Sequence, residues 1–338
     1  MESLSTKYRP KEFQDVIGQI SIVKILSRQL ELNEYKNCYL FCGPSGCGKT
    51  TIARIFANKI NDNVGSPIEI DAASNNGVEN VKNIVAEANE RSISSKYKIY
   101  IIDECHALTS QAWQAFLKCI EEPPTYTIFI FATTDPQKIP ATITNRCMRF
   151  DFQKISSVEI KSRLDYICTV EGFTNYDDTT DMISKMCKNQ CRDAIALLDK
   201  VAAYSKSFDV NISSKILGFV STKNMIDLTN SIIDDNEANA LYILNTMYLN
   251  GVDLKLFVDN YLTFVLDVMK MALFNSINIT NISKTYEQDI KNLLNFNDVK
   301  QFYNYLLDKI LNLKNMIKTD TNYKNTIEVA ILQMCRLV

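Results

Sequence analysis

Cys38-Tyr39-Leu40-Phe41-Cys42-Gly43-Pro44-Ser45-Gly46-Cys47-Gly48-Lys49-Thr50 decides the fold. Its first five residues are an unbroken apolar run of strand length, and the next eight fit the pattern G-x-x-x-x-G-K-[ST]. From Thr50 onward Ile52, Ile55, Phe56 and Ile60 recur at helical spacing. A strand, a glycine-rich turn and a helix start in that order make a phosphate cradle. The glycines let the backbone wrap an anion closely, and the helix N-terminus presents unpaired N–H groups with a partial positive charge. Gly43, Ser45, Gly46, Cys47, Gly48, Lys49 and Thr50, with Thr51 behind them, form the nucleotide-binding set. Lys49 should reach the β- and γ-phosphates and Thr50 should bind Mg²⁺.

Outward from this loop, the first half of the chain alternates apolar runs with helical patterns, as a parallel sheet with crossover helices does. Strands are predicted at Cys38–Cys42, Pro67–Asp71, Lys98–Asp103, Tyr126–Thr133 and Cys147–Phe152, giving an α/β core with a five-stranded parallel sheet. Helices are predicted after the loop, around Val78 to Ala88, and at Ser110–Glu121, stopped by Pro123-Pro124. Lys98–Asp103 ends in Asp103-Glu104. Beside a phosphate loop, the first carboxylate suits a metal ion and the second can orient or deprotonate an attacking water. From about Ser156 the pattern turns helical, at Val158–Val170, Thr179–Cys187 and Arg192–Tyr204. Longer helices follow near Lys223–Asp234, Ala238–Leu249, Leu254–Phe274, Val299–Lys318 and Asn325–Leu337, with linkers at Gln153–Ser157 and Lys206–Ser214 and a loop at Asn275–Ser283.

Composition sets the bounds. The 338 residues exceed the commonest single-domain size, and 46% hydrophobic with 22% charged residues describes an ordinary globular chain. Only 9 Gly and 7 Pro favour long helices. With 37 Lys+Arg against 39 Asp+Glu, the net charge of -2 excludes nucleic-acid binding by bulk attraction, so any DNA contact must come from a local patch. The N-terminus has no apolar run behind a basic start and no stretch reaches the roughly 18 apolar residues of a membrane span, so a cytoplasmic protein without a membrane partner is expected. Ten cysteines with no C-x-x-C pair, and His106 alone, read as reduced packing residues rather than a metal site. His106 itself reads as a residue that caps the strand or contacts a neighbouring loop, and Trp113 as a packing residue.

Further motifs carry a family resemblance. Thr6-Lys7-Tyr8-Arg9-Pro10-Lys11-Glu12-Phe13, Val16-Ile17-Gly18-Gln19, the phosphate loop, Glu69-Ile70-Asp71-Ala72-Ala73-Ser74, Ile102-Asp103-Glu104-Cys105-His106, Leu117 to Pro124 and Ala132 to Pro140 match in order and spacing. The chain so resembles the gamma/tau subunits of the bacterial DNA polymerase III clamp loader, and Cys191-Arg192-Asp193-Ala194 and Leu217-Gly218 extend the match. The resemblance implies an AAA+ P-loop ATPase core at residues 1–153, a small helical lid at 154–215 and an all-α collar at 216–338, with no tau-like extension. It also implies a five-membered ring made with further copies of the chain and delta- and delta-prime-type subunits, loading a sliding clamp onto primer-template DNA. On that pattern Tyr8, Arg9, Pro10, Val16 and Ile17 line the adenine pocket. Asp103 is the metal partner, Glu104 the base, Thr134 the first sensor of the γ-phosphate and Arg192 the second. Arg146, in Thr144-Asn145-Arg146-Cys147, takes the place of the family's arginine that acts in trans on a neighbour's ATP. A lone arginine before a strand would otherwise be an ordinary salt-bridge partner.

Some features depart from the pattern. The interval Asn61 to Ser66 has no cysteine where relatives carry a four-cysteine zinc module, so ATP and Mg²⁺ are expected and zinc is not. Asn145 replaces a serine, and Asn189-Gln190 stands in place of a Gly-Ser pair. Asn tolerates left-handed backbone nearly as well as Gly does. Ser74, Asn75 and Asn76 open a helix uncharged where basic residues often face DNA, leaving backbone N–H groups, Lys82 and Lys118 as the candidate DNA contacts. Two competing readings are a non-catalytic scaffold subunit and another AAA+ DNA motor such as a branch-migration helicase. Intact Lys49, Thr50, Asp103 and Glu104 oppose the first, and the neutral helical C-terminal half, unlike a winged DNA-binding domain, opposes the second.

Overall fold

The structure, a computed structural model, describes residues 2–92, 95–218, 220–280, 282 and 286–335. Ser283 of the predicted loop and Leu337 of the predicted last helix lie outside them. Two compact units divide the chain, Met1–Gly172 with Thr180–Asp199, and Phe173–Thr179 with Lys200–Val338.

The first unit is built on β1 (Cys38–Cys42), β2 (Ile68–Asp71), β3 (Lys98–Asp103), β4 (Thr127–Thr133) and β5 (Met148–Asp151). All pairings are parallel and the order is β2-β3-β4-β1-β5, so β1 lies inside the sheet. Strand side chains alternate between faces, and the sequence uses both. Tyr39, Phe41, Ile99, Ile101, Ile128 and Ile130 pack on one side with Leu26 of α2 (Ile20–Leu32) and Ile52 and Phe56 of α3 (Lys49–Ile60), the short α1 (Leu4–Lys7) coming before them in the chain. Leu40, Tyr100, Ile102, Phe129 and Phe131 pack on the other side with Val81 of α4 (Val78–Ala88) and Trp113 and Phe116 of α5 (Ser110–Glu121). Trp113 is thus a packing residue. The short α6 (Ala141–Thr144) leads toward β5 and buries Ile143. The core strands agree with expectation to within one residue at each end, while α2 was not foreseen.

Three helices follow the sheet. A reciprocal capping box starts α7 (Ser157–Glu171), with Ser156 Oγ accepting from Glu159 N and Glu159 Oε2 accepting from Ser156 N, and Gly172 at φ 71 stops it. Then come α8 (Asp177–Met186) and α9 (Cys191–Tyr204). Asn189, before α9, has φ 65, the left-handed backbone that its Gly-Ser counterpart would adopt freely.

The second unit is helical, with α10 (Val210–Leu217), α11 (Thr222–Ile233), α12 (Glu237–Leu249), α13 (Leu254–Phe274), α14 (Glu287–Leu293), α15 (Val299–Met316) and α16 (Tyr323–Cys335). The predicted linker at Lys206–Ser214 is corrected here, because α10 begins inside it and buries Ser213. Phe257, Tyr261 and Val265 of α13 pack with Tyr303, Leu306 and Ile310 of α15 and with Ile327 and Ile331 of α16. Two buried hydroxyls are satisfied, Tyr261 Oη with Thr229 Oγ1 at 3.0 Å and Tyr303 Oη donating to the Leu293 carbonyl at 3.0 Å. Among the described residues no helix is long and apolar enough to cross a membrane.

Candidate nucleotide site

Because β1, β3 and β4 are neighbours in register, with Cys42 beside Thr133 and Ile102 beside Phe131, their carboxyl ends deliver three loops to one place. The phosphate loop leaves β1, Glu104 follows Asp103 at the end of β3, and Thr134 follows Thr133 at the end of β4. Gly43 N donates to the Thr133 carbonyl at 3.1 Å, fastening the loop to the sheet. At Gly43 (φ 153) a Cβ would lie 2.7 Å from the Phe152 carbonyl oxygen, and at Gly46 (φ 70) 2.9 Å from Gln190 Cβ. Only glycine fits either position. Gly48, at φ 100, has open space on that side and caps α3, which leaves the mouth of the loop accessible.

Lys49 is buried, and its Nζ donates to the carbonyls of Gly43 and Pro44 at 2.8 and 2.9 Å. The ammonium thus lies on the loop it would share with a phosphate. Thr50 Oγ1 donates to Asp103 Oδ2 at 2.6 Å, and Asp103 Oδ1 accepts from Glu104 N at 2.9 Å. Glu104 adopts left-handed backbone at φ 46, a strained turn that sends its side chain toward β4. There Glu104 Oε2 accepts from Thr134 Oγ1 at 3.0 Å and lies 3.3 Å from His106 Nδ1, which is also 3.2 Å from Thr133 Oγ1. His106 therefore contacts both the acidic residue and the end of the strand that leads into Thr134. Thr50, Asp103, Glu104 and Thr134 thus form one connected group, with Lys49 held on the phosphate loop beside it.

The flanking residues close round it. Arg9 is half-buried, with Nε 3.4 Å from Thr51 Oγ1. Burial holds its pKa below the ordinary arginine range, and the nearby guanidinium groups of Arg54 and Arg192 add to the effect. The carboxylates of Glu69 and Asp103 act on Arg9 in the opposite sense. Arg192 lies in the first turn of α9, and Arg54 pairs with Glu69. Tyr8 packs edge-on to Tyr166 and donates to Glu171 Oε1 at 2.5 Å, and burial together with that carboxylate pushes its phenol up to about 12. Val16 packs on the α2–α3 side of the core, while Pro10 and Ile17 are half-buried. Sequence reasoning had not separated out Gln19. It is buried at φ 53, donates to the Cys47 carbonyl at 3.3 Å and the Gln153 carbonyl at 2.7 Å, and accepts from Gln153 N at 3.1 Å. Its signal was present in Val16-Ile17-Gly18-Gln19, but nothing in a linear motif shows that a side chain spans to residues 47 and 153.

Other candidates lie apart from this group. Arg146 precedes β5, and with Cys38 and Cys147 it lines a depression at the amino end of the sheet. The five residues of β1 span roughly 16 Å between that end and the phosphate loop. Arg146 is ion-paired with Glu121 at 2.7 Å. Ser74 Oγ donates to Asp71 Oδ2 and Asn75 Nδ2 to the Asp71 carbonyl, so this segment is a turn on the end of β2, while Asn76 accepts from Thr109 N. Lys82 pairs with Glu79 of its own helix at 3.0 Å, and Lys118 is exposed on α5. Burial pushes the thiols of Cys42, Cys47, Cys105 and Cys119 up, away from thiolate chemistry. Among the described residues no group of three or more His, Cys, Asp or Glu could hold a metal ion by itself.

The residues present fit a nucleotide with a divalent cation. The cradle is one that a Cβ would fill, an ammonium sits at its rim, and the hydroxyl of Thr50 and the carboxylate of Asp103 are adjacent hard oxygen donors.

Comparison with known proteins agrees with this geometry. A family model described as DNA polymerase III subunits gamma and tau domain III matches residues 208–338, and one described as DNA polymerase III, delta subunit, matches residues 66–156. DNA polymerase III subunit gamma of Buchnera aphidicola subsp. Baizongia pistaciae is 32% identical over 368 aligned positions, covering 99% of this chain and 96% of that protein. The chain belongs to the DNA polymerase III gamma/tau family. Within it, subunit tau of Bacillus subtilis is 36% identical over 79% of this chain and subunit gamma/tau of Mycoplasma genitalium 32% identical over 90%. The chain spans about half the length of these two relatives, 52% and 54%. Among solved structures, the Thermotoga maritima RuvB Holliday junction branch migration motor aligns with a TM-score of 0.53 at 20% identity, over 73% of this chain and 86% of that one. That likeness concerns the fold, an AAA+ P-loop core, which the five-stranded parallel sheet shares.

Proposed function

We propose that the chain is an ATP-hydrolysing clamp-loader subunit that acts in a five-membered ring, with further copies of itself and delta- and delta-prime-type subunits, to open a sliding clamp and place it on primer-template DNA in the cytoplasm. The single observation that carries the proposal is the connected group Thr50, Asp103, Glu104 and Thr134 beside the loop-held Lys49, on three adjacent strand ends. A scaffold subunit has no physical need to keep phosphate and metal donors in register.

MgATP, when bound, supplies the phosphoanhydride whose cleavage drives the cycle. Lys49 exchanges its two loop carbonyls for phosphate oxygens, and Thr50 and Asp103 hold the cation. Glu104 orients the attacking water and takes its proton, and Thr134, already bonded to that carboxylate, can report on what lies before it. Tyr8, Arg9, Pro10, Val16 and Ile17 border the base and sugar side. Arg192 senses the phosphates from the lid, and an anionic ligand relieves its repulsion with Arg9. Arg146 lies too far from its own loop to serve it and acts on the ATP of a neighbouring chain, making hydrolysis conditional on assembly. We further propose a core at 1–153, a lid at 154–215 and a collar at 216–338 that joins subunits. Ser74, Asn75, Asn76, Lys82 and Lys118 are the candidate DNA contacts.

The test is ATP turnover by the full chain, alone and assembled with delta-type subunits, clamp and primed DNA. Turnover stimulated by clamp and DNA is expected. Turnover by the isolated monomer equal to that of the assembly would reject the trans mechanism.

A further inference from the structure

We propose that Glu121 is the positioning residue of Arg146, holding its guanidinium in the pose offered to a neighbouring chain; this rests on the trans role of Arg146 given above. Arg146 is fixed from two sides. Its Nη2 lies 2.7 Å from Glu121 Oε1, and its Nη1 donates to the Thr142 carbonyl at 2.7 Å. Its backbone is tied down as well, Arg146 N donating to the Ile143 carbonyl at 3.0 Å.

Both anchors are rigid. Glu121 is the last residue of α5, whose buried face of Trp113, Phe116 and Ile120 packs on the sheet, and Thr142 belongs to α6, which buries Ile143. A carboxylate at a helix C-terminus opposes the helix dipole, and here Glu122 follows directly after Glu121. Helix stability therefore gives no reason for the acid, whereas a guanidinium that must be held does. Two of the five N–H donors of Arg146 are used in the two contacts, so three remain for an incoming phosphate without breaking either. The side chains of Arg146 and Glu121 are 39% and 41% exposed, on the rim of a depression of about 670 Å³. A pair so exposed adds little to stability. Its value lies in removing rotamer freedom before a neighbour arrives, which lowers the ordering cost of the contact.

The experiment compares Glu121→Ala, Arg146→Ala and the double variant as full chains in the assembled ring, measuring kcat and KM for MgATP, MgATP affinity of the unassembled chain, and thermal melting. Arg146→Ala is expected to lower kcat on the order of 1,000-fold. Glu121→Ala is expected to lower it on the order of 10-fold to 100-fold, as a misplaced catalytic group does, with KM, MgATP affinity and melting unchanged. In the Arg146→Ala background, Glu121→Ala should cost nothing more, because the two act as a unit. Should Glu121→Ala melt early, Glu121→Gln provides the same comparison. Wild-type kcat in Glu121→Ala beside a collapsed Arg146→Ala overturns the proposal and leaves the trans role standing. Wild-type kcat in Arg146→Ala overturns the trans role itself. A Glu121→Ala loss that persists undiminished without Arg146 shows that Glu121 acts elsewhere and also overturns the proposal.

Discussion

At the carboxyl end of the sheet Lys49 is buried against two carbonyls, Asp103 is bonded to Thr50 and to a backbone amide, and Glu104 is held by Thr134. At the amino end of the same sheet Arg146 and Glu121 meet each other in the open. The first arrangement joins a buried ammonium, a hydroxyl and two carboxylates of one chain, each with at least one partner. The second is an exposed ion pair in which Arg146 keeps three N–H donors unused, at the opposite end of the sheet from its own phosphate loop. A parallel sheet produces this asymmetry directly, because every strand runs the same way and its two ends carry different loops. The proposed trans role of Arg146 requires one chain's open end to meet the next chain's closed end.

The difference between the two ends can be broken experimentally. Lys49→Ala removes the ammonium from the closed end, and both MgATP binding and turnover should fall, turnover on the order of 1,000-fold, in a nucleotide-affinity and steady-state assay. Glu104→Gln should separate the two, retaining MgATP affinity while turnover falls by about 100-fold or more, as loss of a general base does. If affinity fell equally, Glu104 would be a ligand contact rather than a base. Gly43→Ala tests the walls of the cradle. With the Phe152 carbonyl 2.7 Å from the added Cβ, urea unfolding should show a loss of about 1–3 kcal/mol. A neutral result would mean that the loop is looser than its contacts imply. Smallest of all, Glu121→Ala at the open end should change unfolding free energy by no more than about 1 kcal/mol, since exposed pairs contribute little.

How far these ends were legible beforehand varies by residue. The strand Cys38–Cys42 and the loop after it could be read from the chain, because an apolar run, a glycine spacing and a helical period are all local. Lys98–Asp103 was equally plain, and α13 was located to the residue, since its apolar faces repeat over 21 positions. The helix α2 was not foreseen although Ile22, Val23, Leu26 and Leu30 recur on one face at helical spacing, because it opens without a side-chain cap, from Gln19 in left-handed backbone. The start of α10 was hidden by Ser213 and Ser214, polar residues that suggest a linker yet are buried. In the site, the identities of Lys49, Thr50, Asp103 and Glu104 came from motifs. Gln19 spanning to Cys47 and Gln153, and Glu121 holding Arg146, did not, because both join residues far apart in the chain.

The sequence by itself determined the class of the core, the phosphate loop, the acidic pair at the end of β3 and the family to which the chain belongs. These are written in local spacing, and spacing survives without any knowledge of what lies opposite. Only the tertiary structure decided that β4 separates β3 from β1, that Thr134 and His106 converge on Glu104, and that Arg146 pairs with Glu121 at the end of the sheet opposite its own loop. Strand order and long-range pairing are settled by which apolar faces bury one another, a global competition that no single segment of the chain records.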